Sequence, residues 1–284
     1  MNFQREETSW TVRRIRQAIL FLILVVVAVW GFANWRADNH IFAWDKTVSV
    51  LVVIVVDPEA DPEEDILRGF LSRFLSTSIA REINLAGVER WFESESSRYM
   101  KDPMKPLSLT ARGPIKATAP PPLPPGEDAS FLERWRGTKD FLGYFDSMSE
   151  RERLVLEGYD AAIFVYFYDA AEIHKYAKQH SLASRRSRIG VVFSAVGPTH
   201  FARCATLVAH ELCHTLGASD KYEGNRSLFP HGFADPERTP LYPQRHAEIM
   251  ALGVPVSPKE EKRVNGLSEC VVGKKTAAEI GWVE

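Results

Sequence analysis

A short stretch of the chain carries residue types that can bind a metal ion and activate water. It reads HELCHTLGASD from His210 to Asp220. On a helix, side chains four residues apart lie one turn apart on the same face, so His210 and His214 can bind one ion. Glu211, beside the first histidine, can then act as the base that takes a proton from water. This spacing predicts a hydrolytic metal site.

The residues that follow the second histidine supply a third ligand. Gly217 falls where the helix is expected to end, because glycine readily adopts the positive φ of a helix C-terminus. The resulting turn can bring the chain back beneath the metal, where Asp220 offers an oxygen. Zinc accepts nitrogen and oxygen ligands and, at a hydrolytic site, keeps one position for water. We therefore expect Zn²⁺ on the two histidines and Asp220; the alternative third ligands are His231 and Glu248.

The full pattern, H-E-x-x-H-x-x-G-x-x-D, resembles the zinc signature of the metzincin metallopeptidases. The match is to the variant whose third ligand is aspartate, as in snapalysin-like and immune-inhibitor-like peptidases, and it covers about residues 188–253. The resemblance implies a methionine in a tight turn below the metal, and Met250 in EIMALG suits that role. The chain departs from the family in two ways: the usual third histidine is absent, and no tyrosine stands two positions after Met250.

The resemblance implies a zinc metalloendopeptidase whose substrate is a protein or peptide. Glu211 would act as general base on the attacking water and return the proton to the leaving amine. Candidates for stabilising the oxyanion are Tyr222, Tyr242 and His246. Two alternatives stay open: a binding or scaffold protein with a structural or inactive zinc site, and a zinc hydrolase acting on something other than peptides.

The helix that carries these residues is predicted to be amphipathic. At about 100° per residue, one apolar stripe forms, and the histidines project from roughly the opposite side. The stripe comprises Phe201, Ala205, Val208, Leu212 and Leu216. Cys204 and Cys213 are too far apart along this helix to form a disulfide with each other. Either could pair with Cys270 or remain a buried thiol.

The elements that must position the site alternate between strand and helix. Apolar runs rich in β-branched and aromatic residues predict buried strands at 46–56, 160–168 and 188–196. Helical spacing is found at 61–84, 130–147 and 170–180. This alternation predicts an α/β fold with a mixed twisted sheet. The strand at 188–196 is a candidate edge for an extended peptide substrate.

Residues 93–128 are polar and rich in proline, and we interpret them as an insertion in the domain. The segment contains PPPLPP at 120–125, which favours an extended polyproline conformation. Such a run is typical of a stiff surface loop, and it could also be a docking motif for a proline-binding partner.

The amino-terminal region predicts attachment to a membrane. Residues 18–35 carry no charge and approach the length of about 20 residues that crosses a bilayer as a helix. Basic residues precede this run, which predicts a cytoplasmic tail at 1–17 and a single-pass signal anchor at 18–35. Residues 36–284 would then form an extracytoplasmic domain, periplasmic in a Gram-negative cell. A cleaved signal peptide and a buried core helix are the alternatives.

Composition excludes several classes of protein. The 284 residues are 45% hydrophobic and 25% charged, which suits a folded domain with a substantial core rather than a disordered chain. A net charge of -2 lacks the basic excess of nucleic-acid-binding proteins, so no nucleic-acid partner is expected. Three cysteines are too few for a disulfide scaffold.

Overall fold

The computed structural model divides the chain into two compact units, 1–40 and 41–284. The residues that it describes are 3–38, 43–56, 83–101, 105–122, 129–168, 181–185, 187–195 and 198–283. The first unit consists of helix α1 (Phe3–Asp38), which contains the uncharged run 18–35. Among the described residues, no helix combines the length and the hydropathy needed to cross a bilayer. The signal anchor therefore stays a prediction.

The second unit combines a main sheet with helices on both of its faces. Its helices are α2 (Leu85–Ser96), α3 (Phe131–Glu152), α4 (Pro198–Leu216) and α5 (Lys274–Glu279). The main sheet contains β1 (Val48–Val56), β2 (Leu107–Lys116), β3 (Ala161–Tyr168), β4 (Leu182–Ser184) and β5 (Ile189–Ala195). Short strands follow α4: β6 (Tyr222–Glu223), β7 (Arg226–Ser227), β8 (Ala247–Glu248), β9 (Gly253–Pro255), β10 (Glu261–Arg263) and β11 (Cys270–Val271).

The main sheet has the strand order β2-β1-β3-β5-β4. Its neighbours run parallel except for β4, which is antiparallel to β5. The α/β prediction with a mixed sheet is therefore confirmed, and so are the strands predicted at 46–56, 160–168 and 188–196. The expectation that the last of these is an edge strand is wrong, because β4 pairs with it on the side away from β3.

The edge strand β2 lies inside the region 93–128, which the sequence predicts to be an insertion. That interpretation missed a strand of the main sheet, and α2 also extends into the same region. The reason is physical: an edge strand is partly exposed on both faces and tolerates the Gly113-Pro114 pair that would interrupt a central strand. Residues 123–128, with half of the proline run at 120–125, lie outside the described residues.

Two hydrophobic cores sandwich the main sheet. Successive residues of a strand point to opposite faces, so the nearly continuous apolar runs of β1 and β3 supply both cores. On one face, α3 contributes Phe141, Phe145 and Met148. On the other face, α2 and α4 pack against the sheet together with the carboxyl-terminal segment from Ala247 onward. At about 1.5–3 kcal/mol for each large apolar side chain, this burial fixes α4 against β5 and β3.

The helix predicted at 130–147 is confirmed and runs on to Glu152. It begins with a capping box, in which Ser130 and Glu133 satisfy each other's backbone N–H groups. The helix predicted at 170–180 lies outside the described residues, as does the helix at 61–84 apart from its last two residues.

Candidate metal centre

Helix α4 carries the candidate site, and most of its residues from Cys204 onward are buried. Every member of the predicted apolar stripe is at most 5% exposed, which confirms that stripe. The helix ends at Gly217, whose φ is 119°. The Gly217 N–H donates to the carbonyl of His214 (3.0 Å) and the Ala218 N–H to that of Cys213 (2.9 Å). This Schellman arrangement turns the chain back toward the two histidines.

The turn brings three candidate ligand atoms together. The Nε2 atoms of His210 and His214 lie 3.1 Å apart. Asp220 Oδ1 lies 3.4 Å from the first and 3.2 Å from the second. Two nitrogens that bind one tetrahedral zinc ion at 2.0–2.1 Å are roughly 3.3 Å apart, so the spacing matches a shared ion. Among the described residues, the side chains of His210, His214 and Asp220 form the cluster that could bind a metal ion.

Backbone carbonyls orient both imidazoles. His210 Nδ1 lies 2.9 Å from the carbonyl oxygen of Ile249, and His214 Nδ1 lies 2.8 Å from that of Ala218. Because a carbonyl only accepts, each Nδ1 carries a hydrogen, so the neutral form of either ring has its lone pair on Nε2, at the candidate site. Two lone pairs and a carboxylate oxygen facing one another repel, and positive charge between them removes that repulsion. The donor set therefore fits a divalent cation.

A tight turn at residues 248–252 lies directly against the ligands. The N–H groups of Ala251 and Leu252 both donate to the carbonyl of Glu248, at 2.9 and 3.1 Å. Met250 is fully buried at the centre of the turn. Its carbonyl accepts a hydrogen bond from the Lys221 N–H (2.9 Å), while the preceding residue holds His210. The turn thus supports both the first histidine and the segment that carries Asp220.

Glu248, an alternative third ligand, has a different role in the structure. Its two oxygens accept hydrogen bonds from the N–H of Met250 (2.6 Å), the N–H of Gly273 (3.1 Å) and the hydroxyl of Thr276 (2.6 Å). These bonds attach the turn to the start of α5. His231, the other alternative, is exposed and is not a member of the group of candidate ligands. Asp220 is therefore the acidic residue that completes the histidine pair.

Glu211 lies beside the ligands without joining them. Its side chain is almost completely buried, and Oε1 lies 4.0 Å from His210 Nε2. Burial raises the pKa of its carboxyl group to about 7. Oε2 is buried and has no hydrogen-bond partner among the residues that the structure describes. A buried polar atom of this kind requires a partner, and a water molecule between Glu211 and the ligands would provide one.

Of the oxyanion candidates, Tyr222 is placed next to the site. Burial raises the pKa of its phenol, and the negative charges of Asp220 and Glu211 raise it further. The Tyr242 ring instead contacts Phe233, with ring centres 5.8 Å apart. His246 is exposed. Of the three oxyanion candidates, Tyr222 is therefore the one that interacts electrostatically with Asp220 and Glu211.

The cysteines take no part in the candidate site. Cys204, Cys213 and Cys270 are all buried and none forms a disulfide. Burial raises the pKa of the Cys204 and Cys270 thiols to about 12, so both stay protonated at neutral pH. They act as small apolar side chains in the core around α4.

Comparison with known proteins identifies no family for this chain. No protein-family model matches it, and no curated protein does. The resemblance to the metzincins therefore stays an expectation that rests on the residues of the motif.

Proposed function

We propose that this chain is a zinc-dependent metallopeptidase. The observation that carries the proposal is the convergence of three ligand atoms, from His210, His214 and Asp220, beside the buried and unpartnered oxygen of Glu211. A structural zinc site has four protein ligands, whereas a hydrolytic site has three and an open position. In the described part of the chain the group has three members, and the carboxylate next to them is free to act as a base. This arrangement supports hydrolysis over a purely structural site.

The catalytic roles follow from the positions of the side chains. When bound, zinc supplies Lewis acidity, which makes water more acidic and polarises the scissile carbonyl. Glu211 takes the proton from the attacking water through its unpartnered oxygen and delivers it to the leaving amine. The positive charge of a bound zinc ion would favour the carboxylate form of Glu211, against the effect of burial on its pKa. Tyr222 can donate a hydrogen bond to the developing oxyanion.

The edge of the main sheet supports a peptide as the substrate. Strand β4 lies against α4 and pairs with β5 on one side. In the described part of the sheet its other side is the edge, and an edge strand presents backbone N–H and C=O groups that an extended chain can join. A peptide paired there would run close to the helix that carries Glu211. This geometry suits a peptide better than a compact small molecule.

Glu211→Gln tests the proposal directly. We expect the purified wild-type chain to contain zinc and to cleave members of a peptide library, and to lose cleavage on treatment with a chelator. The variant should keep zinc and lose cleavage, because its amide cannot accept the proton. Glu223→Gln is the matched control, since Glu223 is an exposed carboxylate on β6, three residues after Asp220. Absence of zinc from the wild type at neutral pH, or full activity of Glu211→Gln, would refute the proposal.

A further inference from the structure

Asp220 is the least enclosed of the three ligands, and its neighbours hold it in place. Its side chain is 45% exposed, compared with 4% for His210 and 17% for His214. The preceding residue, Ser219, donates two hydrogen bonds to the carboxylate of Glu279. One comes from its N–H (3.0 Å) and one from its hydroxyl (3.1 Å). The segment before Asp220 is therefore fixed to the end of α5.

The residue after Asp220 is fixed to the same carboxylate. The ammonium of Lys221 is 5% exposed and lies 2.7 Å from Glu279 Oε2. It also donates to the carbonyl and to the hydroxyl of Ser219, each at 2.7 Å. A buried ammonium is stable when such partners surround it. Glu279 thus binds the residue on each side of the third ligand.

We propose that Glu279 is a positioning residue for the third metal ligand. By holding Ser219 and Lys221 together, it fixes the backbone at Asp220 and keeps that carboxylate at the histidine pair. This inference rests on the proposed function.

Helix α5, which carries Glu279, is itself tied to the turn below the ligands. Glu248 accepts hydrogen bonds from Gly273 and Thr276 at the start of α5, and the Lys221 N–H donates to Met250 in the turn. The Asp220 segment therefore contacts both the turn and α5, and the turn and α5 also contact each other. Removing the Glu279 side chain breaks the contacts between α5 and the residues on either side of Asp220.

The chain contains a matched control for the loss of such a carboxylate. Asp160 accepts hydrogen bonds from the N–H (3.0 Å) and hydroxyl (3.1 Å) of Ser49 and from the ammonium of Lys46 (2.7 Å). These are the same types of partner that Glu279 has. They join the start of β1 to the start of β3 and include no residue of the ligand segment. Asp160→Ala therefore removes bonds of the same number and type, around a more exposed lysine, without loosening Asp220.

The experiment measures zinc affinity of the full chain by competition with a chromophoric chelator. Removing a residue that orients a metal ligand typically costs 10- to 100-fold in affinity, and we expect a loss of that size for Glu279→Ala. Glu279→Gln should stay within a few-fold of wild type. Its amide oxygen can accept from Lys221 and the Ser219 N–H, and its NH₂ can donate to the Ser219 hydroxyl. Asp160→Ala should bind zinc as the wild type does.

A second readout separates positioning from general stability. With Co²⁺ in place of zinc, the visible absorption of the ion reports its ligands. The spectrum of Glu279→Ala should move toward that of Asp220→Ala, whereas the spectrum of Asp160→Ala should match wild type. Lys221→Met, which keeps an unbranched side chain one atom shorter and removes the ammonium, gives the same test if Glu279→Ala does not fold. It should weaken zinc binding several-fold.

The outcomes distinguish the two proposals. If the wild type binds no zinc, the proposed function fails and this inference fails with it. If the wild type binds zinc and Glu279→Ala, or Lys221→Met in its place, has wild-type affinity and an unchanged Co²⁺ spectrum, the positioning role alone is overturned. Loss of affinity in Asp160→Ala equal to that in Glu279→Ala would also overturn it, because general stability would then explain both.

Discussion

Replacing Gly217 with alanine asks whether the turn after α4 is needed to assemble the three ligands. At φ 119°, a residue with a Cβ is strained, at a cost of about 1–3 kcal/mol. The added Cβ would lie 2.9 Å from Arg185 Cζ and 3.1 Å from the carbonyl oxygen of Glu279. The arginine side chain can move aside, but the backbone carbonyl must shift by a few tenths of an ångström. Strain and crowding together lower the free energy of unfolding by roughly 2–4 kcal/mol.

The same substitution affects the ligands as well as stability. His214 is oriented by the carbonyl of Ala218, which follows Gly217 directly. Movement of the turn changes that hydrogen bond and the path of the chain to Asp220. If the site binds zinc as proposed, Gly217→Ala should weaken that binding about 10-fold or more.

Gly224→Ala is the matched control for the backbone cost. Gly224 has φ 59°, and a Cβ there would meet nothing within 4 Å, so its substitution costs about 1–2 kcal/mol without crowding. Urea unfolding with a chelator present measures stability without the contribution of bound metal. Zinc competition measures the site. The reasoning is refuted if Gly217→Ala is no less stable than Gly224→Ala and binds zinc like the wild type.

Positions other than the candidate ligands give four further tests. Gly143→Ala should raise the free energy of unfolding by about 0.5–1 kcal/mol, because Gly143 is an exposed residue inside α3 with no atom near its Cβ position; a lower melting temperature would contradict this. Glu248→Ala leaves three buried donors without an acceptor and should lower the free energy of unfolding by roughly 3–5 kcal/mol, measured by urea unfolding. A decrease below about 1 kcal/mol would count against the role of Glu248. Burial raises the pKa of Asp160, but hydrogen bonds from Lys46 and Ser49 lower it overall. Its stabilising effect is therefore complete above its unfolded pKa of about 3.9 and is lost as the pH falls through the lower folded pKa. The stability difference between wild type and Asp160→Asn should shrink between pH 7 and pH 3; a constant difference would show the sign to be wrong. If residues 18–35 form a signal anchor, the chain stays in the membrane fraction after alkaline carbonate extraction, and release into the supernatant would exclude the anchor.

Features of the site that depend on neighbours along the chain could be predicted from the sequence. Helical periodicity alone places His210 and His214 on one face and Glu211 beside them. The positive φ of Gly217 follows from its place at the helix end. Strands β1 and β3 were predictable for a similar reason, because a nearly continuous apolar run suits a strand that is buried on both faces.

Features that depend on distant contacts could not be predicted. Strands β2 and β4 lie at the edges of the sheet, where exposure removes the apolar pattern and leaves sequences typical of loops. Glu248 is a possible ligand by sequence, but its oxygens accept hydrogen bonds from Met250, Gly273 and Thr276 instead. Glu279 lies 60 residues from its partner Ser219, and no local pattern indicates that pair.

The carbonyls that orient the imidazoles affect how much of the chain would be needed to rebuild this site in another protein. The three candidate ligands span only the short segment 210–220, which suggests a portable motif. The Ile249 carbonyl that fixes His210 lies 39 residues from it, and Glu279 lies 58 residues from Lys221. A helical peptide of residues 198–220 would carry every ligand and lack both supports. For grafting onto another scaffold, a segment with both supports would have to extend at least from α4 through α5.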